Sequence, residues 1–301
     1  MKKFIYIVGA LMLLFPTVAG AQALPYVTAE YDAASLGTAG ANLVDTENTA
    51  NSAFANPAAM GFAESTLDAA ANFTMYAPTS SSMITAGVSY GLGKLGVAAG
   101  VLFGAHQSYD VTNSAGTVTG SFAPSDLLMA AGLSYRLLPV LSVGMNLGYA
   151  TSSLSEKYSY GAVKADLFAM TQMKGVKAAV GLRNLGTSVT SVKGTKFSLP
   201  SSLALGAAYT IAFAEDQKVD LLLDADCYFN DGVAVAAGFE YAMKEFVFVR
   251  GGYRYGGESP VPSFASLGAG VKLSGVRLDL AYLLGSETMG NTLSVGLGYT
   301  F

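Results

Sequence analysis

Ionisable side chains in the second half of the chain keep to one parity of short alternating segments: Asp220, Asp224 and Asp226, then Glu240, then Arg250 and Arg254, then Lys272, Arg277 and Asp279. Two chemistries fit such a pattern. Paired carboxylates can hold or release protons for a substrate, whereas carboxylates facing cations on neighbouring strands mainly neutralise one another. Opposite charges fall on neighbouring segments here, so the second reading is favoured: a structural charge ladder made of Asp220, Asp224, Asp226, Glu240, Arg250, Arg254, Arg277 and Asp279. The lone histidine, His106, has Ser108 and Asp110 close by in sequence. Proximity along the chain does not make a nucleophilic triad, and no oxyanion-hole motif accompanies it, so it reads as an ordinary loop residue. One histidine and the single Cys227 supply too few ligands for a His- or Cys-based metal site and allow no internal disulfide. The glycines from Gly87 to Gly100 lack the strand-loop-helix setting of a phosphate loop and read as strand positions. No catalytic residue, cofactor or metal is expected.

A ladder of this kind needs strands. From about Leu67 onward some fourteen segments alternate in polarity, each near the length a tilted membrane strand requires. In the last, Leu293, Val295, Leu297, Tyr299 and Phe301 share one face, opposite Ser294, Gly296, Gly298 and Thr300. Val219, Leu221, Leu223, Ala225, Cys227 and Phe229 oppose Lys218, Asp220, Asp224 and Asp226 in the same way, and Leu278, Leu280 and Tyr282 oppose Arg277 and Asp279. A half-buried soluble sheet gives this in a strand or two, but recurrence through most of the chain favours a closed transmembrane antiparallel β-barrel. Connector lengths agree, since such barrels have short periplasmic turns and longer outer loops. Gly91-Leu92-Gly93, Leu138-Pro139, Lys174-Gly175, Glu215-Asp216, Lys244 and Ser274-Gly275 are tight. Those at 106–125, 151–161, 186–198, 256–262 and 285–291 are longer, leaving Asn230-Asp231-Gly232 as the one short connector expected outside. Tyr90, Tyr135, Tyr209, Tyr241 and Tyr299 share the apolar parity near the periplasmic end and predict an aromatic girdle.

Composition supports that reading. The chain is 51% hydrophobic, and alternation hides such apolar content because only every second residue meets lipid. The start, Met1-Lys2-Lys3, an apolar run from Phe4 to Phe15 and then Ala19-Gly20-Ala21-Gln22-Ala23, has the form of a secretory signal peptide. Two cleavage frames fit, after residue 21 or after residue 23. The formal charge of −4 makes nucleic acid an unlikely partner. The domain plan is therefore a signal peptide over 1–21, an N-terminal plug segment over 24–63 that lacks alternation, and a barrel over 64–301. The destination is the cell outer membrane of a Gram-negative bacterium, with outer-membrane lipid and the barrel assembly machinery as partners. Tyr299 and Phe301, closing an alternating strand, read as the C-terminal assembly signal.

Asp32-Ala33-Ala34-Ser35-Leu36-Gly37-Thr38-Ala39-Gly40, then Asp45-Thr46-Glu47, then Ala55-Asn56-Pro57-Ala58-Ala59-Met60 precede the strands. This region resembles the N-terminal part of the PorV/PorQ family, which is related to the long-chain fatty-acid transporter FadL. Gly181-Leu182-Arg183-Asn184-Leu185-Gly186, the stretch Leu199-Pro200-Ser201-Ser202-Leu203 on to Tyr209, and Arg250-Gly251-Gly252-Tyr253-Arg254-Tyr255-Gly256 extend the similarity over nearly the whole mature chain. The resemblance implies about fourteen strands around an internal plug, with Gly37, Gly40, Asn56, Pro57 and Ala58 forming the plug motif. Some members take part in type IX secretion, which makes a secretion-associated or scaffolding component, with secretion-system proteins as partners, the preferred function. The alternative is a FadL-like diffusion channel for a hydrophobic ligand, whose pocket Phe54, Met60, Phe62, Phe73 and Met75 would line. The acidic plug residues Glu30, Asp32, Asp45 and Glu47 are expected to face Arg250, Arg254 and Arg277.

Overall fold

The structure, a computed structural model, describes residues 22–63, 67–257, 259–285 and 289–301. The expected signal peptide over 1–21 lies outside the described residues. Fourteen antiparallel strands close into a barrel in which each chain neighbour is also a spatial neighbour, and the last strand pairs with the first. They are β1 (Leu67–Tyr76), β2 (Ser81–Leu92), β3 (Leu95–Ala105), β4 (Ser125–Leu138), β5 (Leu141–Ser155), β6 (Tyr158–Met173) and β7 (Val176–Gly186). After these come β8 (Ser202–Ala214), β9 (Gln217–Tyr228), β10 (Val233–Met243), β11 (Val247–Tyr255), β12 (Phe264–Leu273), β13 (Val276–Leu284) and β14 (Thr292–Thr300). Closure removes every edge and so satisfies each strand's backbone within the wall, the condition for crossing lipid with strands.

Alternation decides which side chain goes where. On β14 Leu293, Leu297 and Tyr299 are exposed on the outside, while Ser294, Gly296 and Gly298 are buried inside. On β9 Leu221 and Leu223 face out and Asp224 and Asp226 face in. Cys227, expected on the lipid side, is buried at the strand's end, and Phe229 falls beyond it. Phe73 and Met75, expected to line an internal pocket, point outward and are 45% and 43% exposed. The reason is parity: Asp68, Asn72 and Thr74 take the inward positions of β1.

The two ends of the barrel differ as the connectors indicated. Lys174-Gly175 and Ser274-Gly275 have positive φ at both residues, 47° and 79° in one and 49° and 84° in the other. Mirror-image turns of this kind match the twist of a two-residue hairpin. Tyr90, Tyr135, Tyr209 and Tyr299 are exposed at this turn end, and Tyr241, half-buried, stacks on Phe213 at 6.2 Å. At the loop end, two connectors differ from expectation. Residues 151–161 are mostly strand, because β5 and β6 continue as a hairpin with only Glu156-Lys157 between them. The link from β1 to β2 is a single 3-10 turn at Ala77–Thr79, a second short connector on that side. The 106–125 connector carries its own hairpin, Tyr109–Thr112 with Val118–Phe122.

The segment from residue 22 to residue 63 fills the lumen as a plug. It contains 3-10 turns at Pro25–Thr28, Thr49–Asn51 and Pro57–Phe62 and a short helix, α1 (Ala33–Gly37). Asp32 caps α1 by accepting a hydrogen bond from the Ser35 amide at 2.7 Å. Small residues let plug and wall meet at backbone distance. A Cβ on Gly37 would lie 3.1 Å from the Gly268 Cα of β12, and the Ser266 hydroxyl donates to the Gly37 carbonyl at 3.2 Å.

Candidate functional site

Inward polar residues of the wall hold the plug by its backbone. Asp224 accepts from the Asn42 and Leu43 amides at 2.9 and 2.7 Å, and Asp68 accepts from the Ala50 amide at 3.1 Å. Asn146 donates to the Ser52 and Ala55 carbonyls at 3.2 and 3.1 Å. Such contacts recur around the circumference because irregular backbone can be buried only where side chains replace its missing ladder partners. Asn56 acts within the plug, accepting from the Ala58 amide at 3.0 Å and donating to the Leu43 carbonyl at 2.8 Å. Pro57 begins the 3-10 turn that leads toward β1. Gly40 has φ of 80°, and a side chain there would collide with the Glu30 carboxylate and with Arg254.

The charge ladder is brought together, with partners that skip strands. Arg250 contacts Glu240 at 2.5 Å on the adjacent β10 and Asp279 at 2.6 Å on β13, passing over Gly270 of the strand between. Arg277 also reaches Asp279, at 2.9 Å. Arg254 binds Asp226 at 3.0 Å across β10, where Ala234 and Ala236 leave room, and Arg183 approaches the same carboxylate at 3.4 Å. Asp220 accepts from Thr210. Arg250, Arg254 and Arg277 are almost fully buried, so each needs its carboxylates: removing one partner of such a pair typically costs about 3–5 kcal/mol. Lys164, Asp166 and Asn184 form a further buried cluster that the ladder reading omitted, with Lys164 3.1 Å from Asp166 and 2.7 Å from Asn184. The cluster coincides with a register shift between β6 and β7 and a left-handed Asn184.

The acidic plug residues do not all meet the arginines. Glu30 lies 3.5 Å from Arg254, as expected, and also accepts from Ser35. Glu47 instead pairs with Lys218 at 2.5 Å, while Asp32 and Asp45 serve local turns. The wall arginines are mainly neutralised by wall carboxylates, which sit closer and share their strand geometry. Burial raises the Asp32 carboxyl to about 6 against the opposing pull of the Ser35 hydrogen bond. Burial would also raise Glu47, but the Lys218 and Lys177 ammonium groups outweigh it and hold that carboxyl below its usual range.

Two cavities flank the plug. The loop-end cavity is about 680 Å³ and is lined by Pro25, Tyr26, Met83, Leu102, Val261, Phe264 and Met289, with Glu30, His106 and Asp126 as its acidic and basic groups among the described residues. The turn-end cavity is about 490 Å³ and carries Glu47, Lys177, Lys218, Glu245 and Lys272, with Phe62 and Phe301 at its edge. Between them lie polar gaps of about 20 and 40 Å³, room for one or a few waters. Phe54 and Met60, the other expected pocket residues, are buried where the plug meets the wall.

His106 sits in the loop after β3, as expected of a loop histidine, and has side-chain partners there. Its Nε2 lies 2.7 Å from Asp126 and its Nδ1 3.1 Å from the Ser81 hydroxyl, three residues joined by β2–β3–β4 pairing, whereas Ser108 and Asp110 are exposed. Ser81, His106 and Asp126 are the residue types of a hydrolytic triad, but the ring is reversed, since serine hydrolases direct Nε2 at the serine and Nδ1 at the carboxylate. Ser81 also lies 3.3 Å from the Thr79 carbonyl. The line therefore works as a polar post on the cavity rim. Only strand register could have revealed it, because the three residues are spread over more than forty positions.

A closed fourteen-stranded outer-membrane-type barrel with an internal plug is the class that these features define. No protein-family model matches the chain, and no curated protein matches it in sequence. Solved structures do match its fold, FadL-type channels among them. The Pseudomonas putida toluene transporter TodX aligns with a TM-score of 0.61 at 14% identity, covering 90% of this chain and 98% of that one. The CymD monoaromatic hydrocarbon channel aligns with 0.59 at 12% identity, covering 93% and 99%. A Pseudomonas aeruginosa FadL homologue aligns with 0.58 at 10% identity, covering 91% and 99%.

Proposed function

We propose that this chain is a passive outer-membrane channel for hydrophobic small molecules. The observation that carries this reading is the apolar-lined cavity of about 680 Å³ at the loop end, seated on a plug whose own gaps admit only water. A cavity of that size and lining suits a small apolar ligand, and the barrel's fold is shared with channels described as carrying toluene and monoaromatic hydrocarbons. A ligand would leave the outer leaflet or medium, settle on the plug, and move on when the plug yields or the wall opens. No residue acts as a catalyst in this scheme. The wall charges hold the plug, and the apolar part of the cavity lining selects by desolvation.

The secretion-scaffold reading rests on the PorV/PorQ resemblance of the sequence, and the fold comparisons favour the channel over it. A strain lacking the gene, compared with the same strain complemented, separates the two. Slower uptake of a radiolabelled apolar compound with an unchanged set of secreted proteins supports the channel. Unchanged uptake with lost secretion overturns it in favour of the scaffold.

A further inference from the structure

The ionisable groups of the loop-end cavity are unbalanced. Glu30 and Asp126 line it, their side chains 15% and 9% exposed, and His106 is the only basic group among its described lining residues. The nearest arginine in the contact network, Arg254, is 4% exposed, bound to Asp226 at 3.0 Å and next to Glu30 at 3.5 Å, and does not line the cavity. Two of the hydrogen-bond donors at the rim are committed to protein acceptors. The Tyr26 hydroxyl is within 2.8 and 3.0 Å of the Leu127 and Thr151 carbonyls. A neutral His106 protonated on Nε2 donates to Asp126 and accepts from Ser81. Acceptor capacity remains on Asp126, Glu30 and Ser81, and the remaining hydroxyls of the lining, such as those of Tyr76 and Ser82, are neutral.

From this we infer that the cavity selects apolar molecules whose polar end is a hydrogen-bond donor, an alcohol or an amine, and rejects apolar carboxylates. This rests on the channel reading and narrows its substrate class. A carboxylate entering the cavity would be desolvated beside two like charges, with no arginine or lysine in the described lining to meet it, and like-charge juxtaposition opposes binding. A hydroxyl or ammonium at the same position would fill the open acceptors. The tails of the two kinds of molecule would see the same apolar wall, so the head group alone decides.

The test is isothermal titration of the full chain, held in amphipol at pH 8, with 1-decanol, decylamine and decanoate below their aggregation limits. Decanol and decylamine should bind at least about tenfold more tightly than decanoate. Glu30→Gln and Asp126→Asn, each checked for heat-modifiable folding, should narrow that ratio by raising decanoate affinity. Decanoate binding as tightly as decanol overturns the selectivity and leaves the channel reading standing, as does a ratio that neither variant changes. Failure of all three probes to bind overturns both readings.

Discussion

The cavities at the two ends of the barrel are built from the same wall and the same plug, yet they have opposite chemistry. The loop-end cavity is apolar, with carboxylates at its rim. The turn-end cavity is polar and carries three lysines against two glutamates. The difference arises from strand ends: β2, β3, β4 and β12 finish at the loop end in Met83, Leu102, Asp126 and Phe264, whereas β7, β9 and β12 begin or end at the turn end with Lys177, Lys218 and Lys272. One barrel thus presents two solvents in series, separated by a plug with only water-sized gaps.

The largest expected effect comes from opening the wall that both cavities share. The Phe301 amide donates to the Leu67 carbonyl at 2.8 Å, and its ring meets Tyr299 edge-on at 4.2 Å, so the last residues fasten β14 to β1. Deleting residues 299–301 should leave the protein in the periplasm without a heat-modifiable band. Normal assembly of that mutant would show that neither closure nor recognition depends on this end. Next comes the boundary between the cavities: removing residues 34–51 should turn a protein silent in planar bilayers into one that conducts ions, provided the shortened chain remains heat-modifiable. A folded deletion that stays silent would mean that the cavities are separated by something else.

A smaller effect tests the plug's own electrostatics. Asp32 has its carboxyl raised from 3.8 to about 6 by burial. The folded state therefore holds this proton more tightly than the unfolded state, so its contribution is greatest below the unfolded value and is lost as pH rises through about 6. Asp32→Asn keeps a good helix cap and removes the charge. Its gain in thermal midpoint should be larger at pH 8 than at pH 4, and an equal or reversed change would contradict the burial argument. The smallest effect is at the turn end, where the Glu47–Lys218 pair is partly exposed. Glu47→Gln should cost no more than about 1 kcal/mol in a urea titration at neutral pH.

Much of this architecture is legible from alternation alone. Parity assigns Leu221 and Leu280 to lipid and Asp224 and Arg277 to the lumen, and the absence of alternation marks the plug. Parity also places Phe73 and Met75 outside, because Asn72 and Thr74 take the inward positions. What alternation cannot supply is partner choice. Arg250 meets Asp279 because Gly270 leaves a gap on the intervening strand, and Ser81, His106 and Asp126 converge through the register of three strands. Both depend on pairing offsets that a single strand's pattern does not contain. The loop-end cavity was hidden for a related reason: its lining comes from the plug, several strand ends and the 256–262 connector, each contributing one or two residues.

In the proposed channel, a closed plug stands below an apolar entry cavity through which hydrophobic molecules pass. Entry of a neutral apolar fluorescent probe into cells with an intact lipopolysaccharide layer, paired with the ion conductance of the same purified protein, tests it most directly. Cells producing the intact protein should take up the probe faster than cells carrying an empty vector, while the protein shows no ion-conducting steps. Unchanged probe entry, or open-pore conductance from the intact chain, would contradict it.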